Sequence, residues 1–104
     1  MSIEYIRYDL VAHAPEEFMN AYAVAADALR DSPECLAYEL SRCEEAPASF
    51  ILRIEWRSTR DHLEGFRKGP NFRPFLATIR PFIGEIVEMR HYAPTSTAWR
   101  RQGG

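Results

Sequence analysis

A chain of 104 residues with 46% hydrophobic and 27% charged side chains is one ordinary domain with a single core, neither disordered nor fibrous. Its formal net charge of -2 gives no electrostatic basis for binding nucleic acid or an anionic membrane. No apolar run approaches the roughly 20 residues that span a bilayer, and Met1-Ser2-Ile3-Glu4 is no signal peptide, so a cytoplasmic protein is expected.

Ile3 to Leu10 is rich in β-formers between polar flanks and predicts a first strand. Pro15 to Asp31 reads as a helix. Pro15 suits the first helical position, Glu16 and Glu17 complement the positive helix end, and Phe18, Tyr22, Ala25 and Leu29 form the buried stripe. Ser32-Pro33 stops it. Leu36 to Cys43 alternates with Leu36, Tyr38 and Leu40 on one face, and residues 44–48 form a turn.

Ser49 to Trp56 is the clearest strand, with Phe50, Leu52, Ile54 and Trp56 at period two. Ser58 with Asp61 three residues later signals a helix start. The short helix from Thr59 to about Lys68 is expected to bury His62, Leu63 and Phe66, and Gly69-Pro70 breaks it. Phe72, Phe75, Leu76 and Ile79 keep helical spacing until Pro81, and Ile83 to Tyr92 reads as the last strand. Residues 1–93 then form one domain, and 94–104 are a polar tail carrying Trp99.

The order β-α-β-β-α-β is the ferredoxin-like, split βαβ arrangement of the α+β class, with helices on one face of a four-stranded antiparallel sheet. On the helix side the alternation places Ile6, Tyr8, Leu36, Tyr38, Leu40, the apolar set from Phe50 to Trp56, Val87, Met89 and His91. The opposite side carries Tyr5, Arg7, Glu39, Ile51, Arg53, Glu55, Ile86, Glu88 and Arg90. Three arginines there match three glutamates among apolar residues. That balance suits two sheets stacked face to face in a homodimer, and a solvated face with ordinary ion pairs is the alternative.

Cys35 and Cys43, eight residues apart on one predicted strand, would sit roughly 26 Å from each other, too far for a disulfide. There is no C-x-x-C motif, Gly-rich phosphate loop or nucleophile elbow. No three His or carboxylates have metal-ligand spacing along the chain, so no metal is expected.

The Phe18…Tyr22 helix, the stretch from Ser32 to Leu40, Phe50 to Trp56, His62 with Phe66, and Glu85 to Tyr92 together resemble the antibiotic biosynthesis monooxygenase family, a branch of the dimeric α+β barrel proteins. The resemblance covers roughly residues 3 to 92. It implies a homodimer with a shared barrel of sheets and a pocket between helices and sheet in each subunit. It also implies oxygenation of a small aromatic or quinol-like substrate with no metal, flavin or haem cofactor. In that chemistry the substrate anion reduces oxygen, while the protein supplies a dry cavity, a proton acceptor and oxyanion donors. The haem-degrading branch uses an Asn on the first strand, a Trp where Gly65-Phe66 stands, and a His ligand. Tyr5 and Tyr8 replace the Asn, and no His lies between Phe72 and Ile79.

Trp56 and His62 are the candidate catalytic pair: an indole N–H aimed at bound oxygen and an imidazole suited to proton transfer. Each also fits a structural role, as a core Trp and as a helix-start His. Tyr8, Tyr38, Phe66, Phe72, Phe75 and His91 are candidate substrate-binding residues, which ordinary core packing would equally place inside. His13 reads as a solvated loop residue. The alternatives to a monooxygenase are a non-catalytic dimeric binding protein for a small apolar molecule, and a haem-handling protein using His62 or His91 as axial ligand.

Overall fold

Four antiparallel strands lie in the order β2-β3-β1-β4: β1 (Ser2–Asp9), β2 (Cys35–Arg42), β3 (Ser49–Trp56) and β4 (Ile86–Tyr92). The computed structural model of the chain describes residues 1–103, so the last residue of the expected tail lies outside the described residues. The two strands with the strictest apolar alternation, β1 and β3, take the centre, where one face is buried and neither edge is free. α1 (Pro15–Asp31) and α2 (Phe72–Ile79) pack against each other and against one face of the sheet. The fold is the ferredoxin-like α+β arrangement read from the sequence.

Phe18 of α1 occupies the middle of the core. Its ring centroid lies 4.7 Å from Tyr8, 4.8 Å from Phe50, 5.0 Å from Tyr22 and 5.2 Å from Phe82. The Tyr8 and Tyr22 hydroxyls, buried in this aromatic cluster, hydrogen-bond each other and so satisfy two groups that the core would otherwise strand.

Between β3 and α2 the backbone departs from a regular helix. Ser58 Oγ accepts the Asp61 N–H at 2.9 Å, as its capping position predicts. The residues after it form a π-helical turn, Asp61–Phe66, whose wide pitch shows in the Arg67 N–H donating to His62 C=O, five residues back, at 3.0 Å. The turn presents His62 and Phe66 inward while Leu63 faces solvent, against the expectation for Leu63. Gly69 closes it, because a Cβ there would stand 2.6 Å from the Gly65 carbonyl oxygen.

Three further expectations are corrected. Pro81 does not stop the chain turning; it starts a 3-10 segment, Arg80–Glu85, that buries Phe82 and delays β4 to Ile86. One-residue bulges also interrupt both edge strands, at Leu36 in β2 and at Val87 in β4. Each pushes its residue out, so Leu36 and Val87 are half exposed, and Ile86 turns to the helix side opposite Tyr8. Finally, His13 is not solvated. Its Nδ1 lies 2.5 Å from Glu85 Oε1, and its ring meets Phe82 edge-on.

Glu85 fastens the loop after β1 to the start of β4. Its Oε2 also accepts the N–H groups of Val11 at 2.5 Å and Ala12 at 2.9 Å. Desolvation pushes the carboxyl up, but the Val11, His13 and Ala12 hydrogen bonds outweigh it and hold the group at about 2. A carboxyl depressed below 4.5 contributes stability at all higher pH and loses it as pH falls toward 2. Glu85→Gln should lower Tm at neutral pH and flatten the fall in Tm on acidification; an unchanged acid limb by scanning calorimetry would refute the clasp.

Candidate functional site

Period-two alternation in β1 points Glu4, Ile6 and Tyr8 to the helix side, and β3 points Ile54 and Trp56 there beside them. Above these residues the π-helical turn, α2 and the 3-10 segment form a roof. Between floor and roof is a cavity of about 150 Å³. Ile6, Ile54, Phe66, Phe72, Phe75, Ile79, Ile86 and Met89 make it almost wholly apolar, and its polar groups are Glu4, Tyr8, Trp56, His62 and Arg67.

The polar groups are joined. Glu4 is 1% exposed, and Trp56 Nε1–H donates to its Oε1 at 3.0 Å. The indole lies flat against the His62 ring, with centroids 4.4 Å apart and planes 8° from parallel. His62 Nε2 faces Glu4 Oε1 at 3.7 Å, and its Nδ1 meets His91 Nε2 at 2.7 Å. A row therefore runs from the cavity wall through His62 to His91, which borders an outer groove formed with Met1, Ser2, Ser58, Thr59 and Tyr92.

Burial sets the charges. Desolvation raises the Glu4 carboxyl above its usual range, opposed by the Trp56 hydrogen bond and by Arg67. Desolvation, with Arg67 and His91 adding to it, lowers His62 to about 3, so its imidazole is neutral at physiological pH. His91 is lowered for the same first reason and by Arg67. Tyr8 is pushed up to about 12 by desolvation and stays a neutral phenol. Glu4 is thus the one cavity group whose proton affinity moves toward neutrality.

Of the residues singled out in the sequence, Trp56, His62, Tyr8, Phe66, Phe72 and Phe75 meet at this cavity. Tyr38 does not: it stands on the edge strand β2, beyond β3, and its hydroxyl accepts from Arg30 at 2.9 Å in a separate groove. His91 lies behind the wall and reaches the cavity only through His62. The Trp56 N–H, expected to aim at bound oxygen, is committed to Glu4. Glu4 and Arg67 were missed. Glu4 shares parity with Ile6 and Tyr8, and a carboxylate on the apolar face of a strand was the available signal. Arg67 carried no such signal, since the π-helical turn decides where it points.

The outer face of the sheet carries Arg7, Glu39, Ile51, Arg53, Glu55, Glu88 and Arg90 in continuous rows. Glu39, Arg53, Tyr5 and Arg90 face one another across the strands, as do Ile51, Arg7 and Glu88. Arg53 pairs with Glu55 at 2.6 Å and Arg90 with Glu88 at 3.4 Å along their strands.

The sequence pattern of a family described as antibiotic biosynthesis monooxygenase matches residues 1–78. YczJ of Bacillus subtilis (strain 168), itself uncharacterised, is 27% identical over 77 residues, which cover 74% of this chain and 81% of YczJ. Among solved structures, a Bordetella bronchiseptica protein with the same family designation superposes with a TM-score of 0.76 at 18% identity, covering 90% of this chain and 96% of its own. A point mutant of SnoaB, a cofactor-independent oxygenase from Streptomyces nogalater, gives 0.73 at 20% identity, covering 92% and 95%. At these identities the superpositions establish the shared fold.

A carboxyl raised above 4.5 by burial is best accommodated protonated, so its favourable contribution is present below that pH and is lost as pH rises through the folded value. Glu4→Gln keeps an oxygen for the Trp56 N–H and removes the buried charge. It should raise Tm at pH 8, with the gap closing near pH 4; a lower Tm at pH 8 would show that the charge is not the costly element.

Proposed function

Because the chain belongs to the antibiotic biosynthesis monooxygenase family, we propose that it is a cofactor-independent monooxygenase acting on a small phenol or hydroquinone. One oxygen atom of O2 enters the substrate, which itself supplies the electrons and two hydrogens and is oxidised to a quinone, and the other oxygen leaves as water. The observation that carries the reading is the Glu4–Trp56–His62 cluster set in the wall of an otherwise apolar cavity. A purely apolar lining would instead suit the non-catalytic binding protein. About 150 Å³ is the order of an apolar cavity that holds benzene, so the space suits a single aromatic ring better than a haem.

In this reading Glu4 takes the phenol proton, its raised affinity suiting a base that must hold a proton at neutral pH. The apolar lining leaves the phenolate poorly solvated and electron-rich toward O2. Arg67 is the cation nearest the developing negative charge. Trp56 orients Glu4 and holds His62 flat, and the His62–His91 contact offers the proton a route to the outer groove. Tyr8, Phe66, Phe72 and Phe75 line the ring-binding space.

Oxygen uptake with single-ring hydroquinones and catechols beside tricyclic anthrones tests this. The small substrates should turn over, Glu4→Gln should cost about 10²–10⁴-fold in kcat, and Trp56→Phe and His62→Ala should both reduce the rate. Undiminished rates in the last two variants would remove them from the mechanism, and no uptake with any substrate would favour the binding protein.

The outer sheet face supports a second proposal, a homodimer stacked through Arg7, Glu39, Ile51, Arg53, Glu55, Glu88 and Arg90 to give the α+β barrel. Residues 1–93 would form the domain and 94–104 an appended polar tail, in a cytoplasmic protein. Among the described residues no helix is long and apolar enough to cross a membrane. Light scattering at micromolar concentration should give twice the chain mass, and Ile51→Lys should halve it; a monomeric parent protein would refute the stacking.

A further inference from the structure

The three groups that the oxygenase reading uses as a base and a proton path also have the donor chemistry of a metal site. Glu4 from β1, His62 from the π-helical turn and His91 from β4 each offer a ligand atom, and these atoms all lie within 4.8 Å of one another. We propose that Glu4, His62 and His91 bind one transition-metal dication of the zinc, cobalt or ferrous kind, with its open coordination position toward the cavity. Such a site goes beyond the oxygenase reading and does not rest on it.

Two imidazoles and one carboxylate suit borderline ions, whereas Mg²⁺ and Ca²⁺ prefer all-oxygen sets. All three donors bind in their deprotonated forms, so binding releases to solvent any proton they hold. The supporting shell is in place: the Trp56 N–H fixes one Glu4 oxygen at 3.0 Å and the indole face fixes the His62 ring plane. Such outer contacts orient ligands and typically contribute 10–100-fold in affinity.

The donor atoms, which lie within 4.8 Å of one another, must draw round one ion, with His62 presenting a single nitrogen to it and His91 moving to meet it. His62 Nδ1 and His91 Nε2, now in a 2.7 Å hydrogen bond, must separate to the roughly 3.3 Å between neighbouring ligands of a tetrahedral ion. His91 sits near the end of an edge strand, half-buried beside the outer groove, and can turn without disturbing the core. That groove also gives an ion its way in. Arg67 is the opposing charge, and with one Glu and a dication the site is left net positive, which favours an anion such as a phenolate at the open position. If the oxygenase reading holds, a bound ion occupies Glu4 and His62 and suppresses turnover.

The test is calorimetric titration of ZnCl₂ into the tag-free, chelator-stripped full chain, followed by Co²⁺ titration watched through its visible bands. One ion per chain is expected, with tetrahedral-type Co²⁺ absorption. Glu4→Gln and His91→Gln should each weaken binding at least about tenfold, with circular dichroism confirming that they fold. The double variant Cys35→Ser/Cys43→Ser should bind as the parent does. No saturable binding, binding indifferent to both Glu4→Gln and His91→Gln, or binding lost with the two thiols would each overturn the site. None of those results alters the oxygen-uptake outcome, which needs Glu4 and His62 free.

Discussion

The hydrogen bond from the Trp56 indole to the Glu4 carboxylate is the constraint around which the site is arranged. A carboxyl that is 1% exposed in an apolar wall is costly to ionise, and a single N–H donor moderates that cost without removing it. The bond requires neighbouring central strands in a fixed register. Ser2 opposes Trp56 and Glu4 opposes Ile54, which sets the carboxylate one pleat along from the indole on the same face. Once the indole is held edge-on to Glu4, its face is free, and His62 lies against it. The imidazole nitrogens are then aimed in opposite directions, one to the carboxylate and one to the outer strand.

The roof above this floor is assembled from short pieces: six residues of π-helical turn, eight of α2 and six of 3-10 helix. None has the length to be stable by itself, and their packing on the sheet holds them. The π-helical turn keeps His62 and Phe66, four residues apart, on its inward face and leaves Leu63 exposed.

Much of this was readable from periodicity. Helix α1 runs from Pro15 to Asp31 as its caps and stripe indicate, and β3 spans Ser49 to Trp56. Periodicity also placed Trp56 and His62 near each other. It was silent on strand order, which is why Tyr38 fell on the wrong side of β3 from the cavity. Bulges are equally invisible to it, because one inserted residue offsets the parity on its two sides, as Ile86, on the helix side across Val87 from Met89, illustrates. Glu4 was hidden for another reason. A face defined by its apolar members omits the one charged residue with the same parity, and that residue is a carboxyl buried at 1% exposure. His13 was paired through Glu85, seventy-two residues away, a contact with no local signature.

The two bulges have a consequence for how the molecule meets others. Both outer strands of the sheet, β2 and β4, are interrupted, and each break thrusts a branched aliphatic side chain outward. A strand arriving from another molecule would meet an irregular ladder at the Cys35 end of β2 and at the Ile86 end of β4. Lateral growth into extended sheets, the ordinary hazard of a small open sheet at high concentration, is hindered where those bulges fall. Leu36 and Val87, which look misplaced on the surface, are the visible mark of that protection.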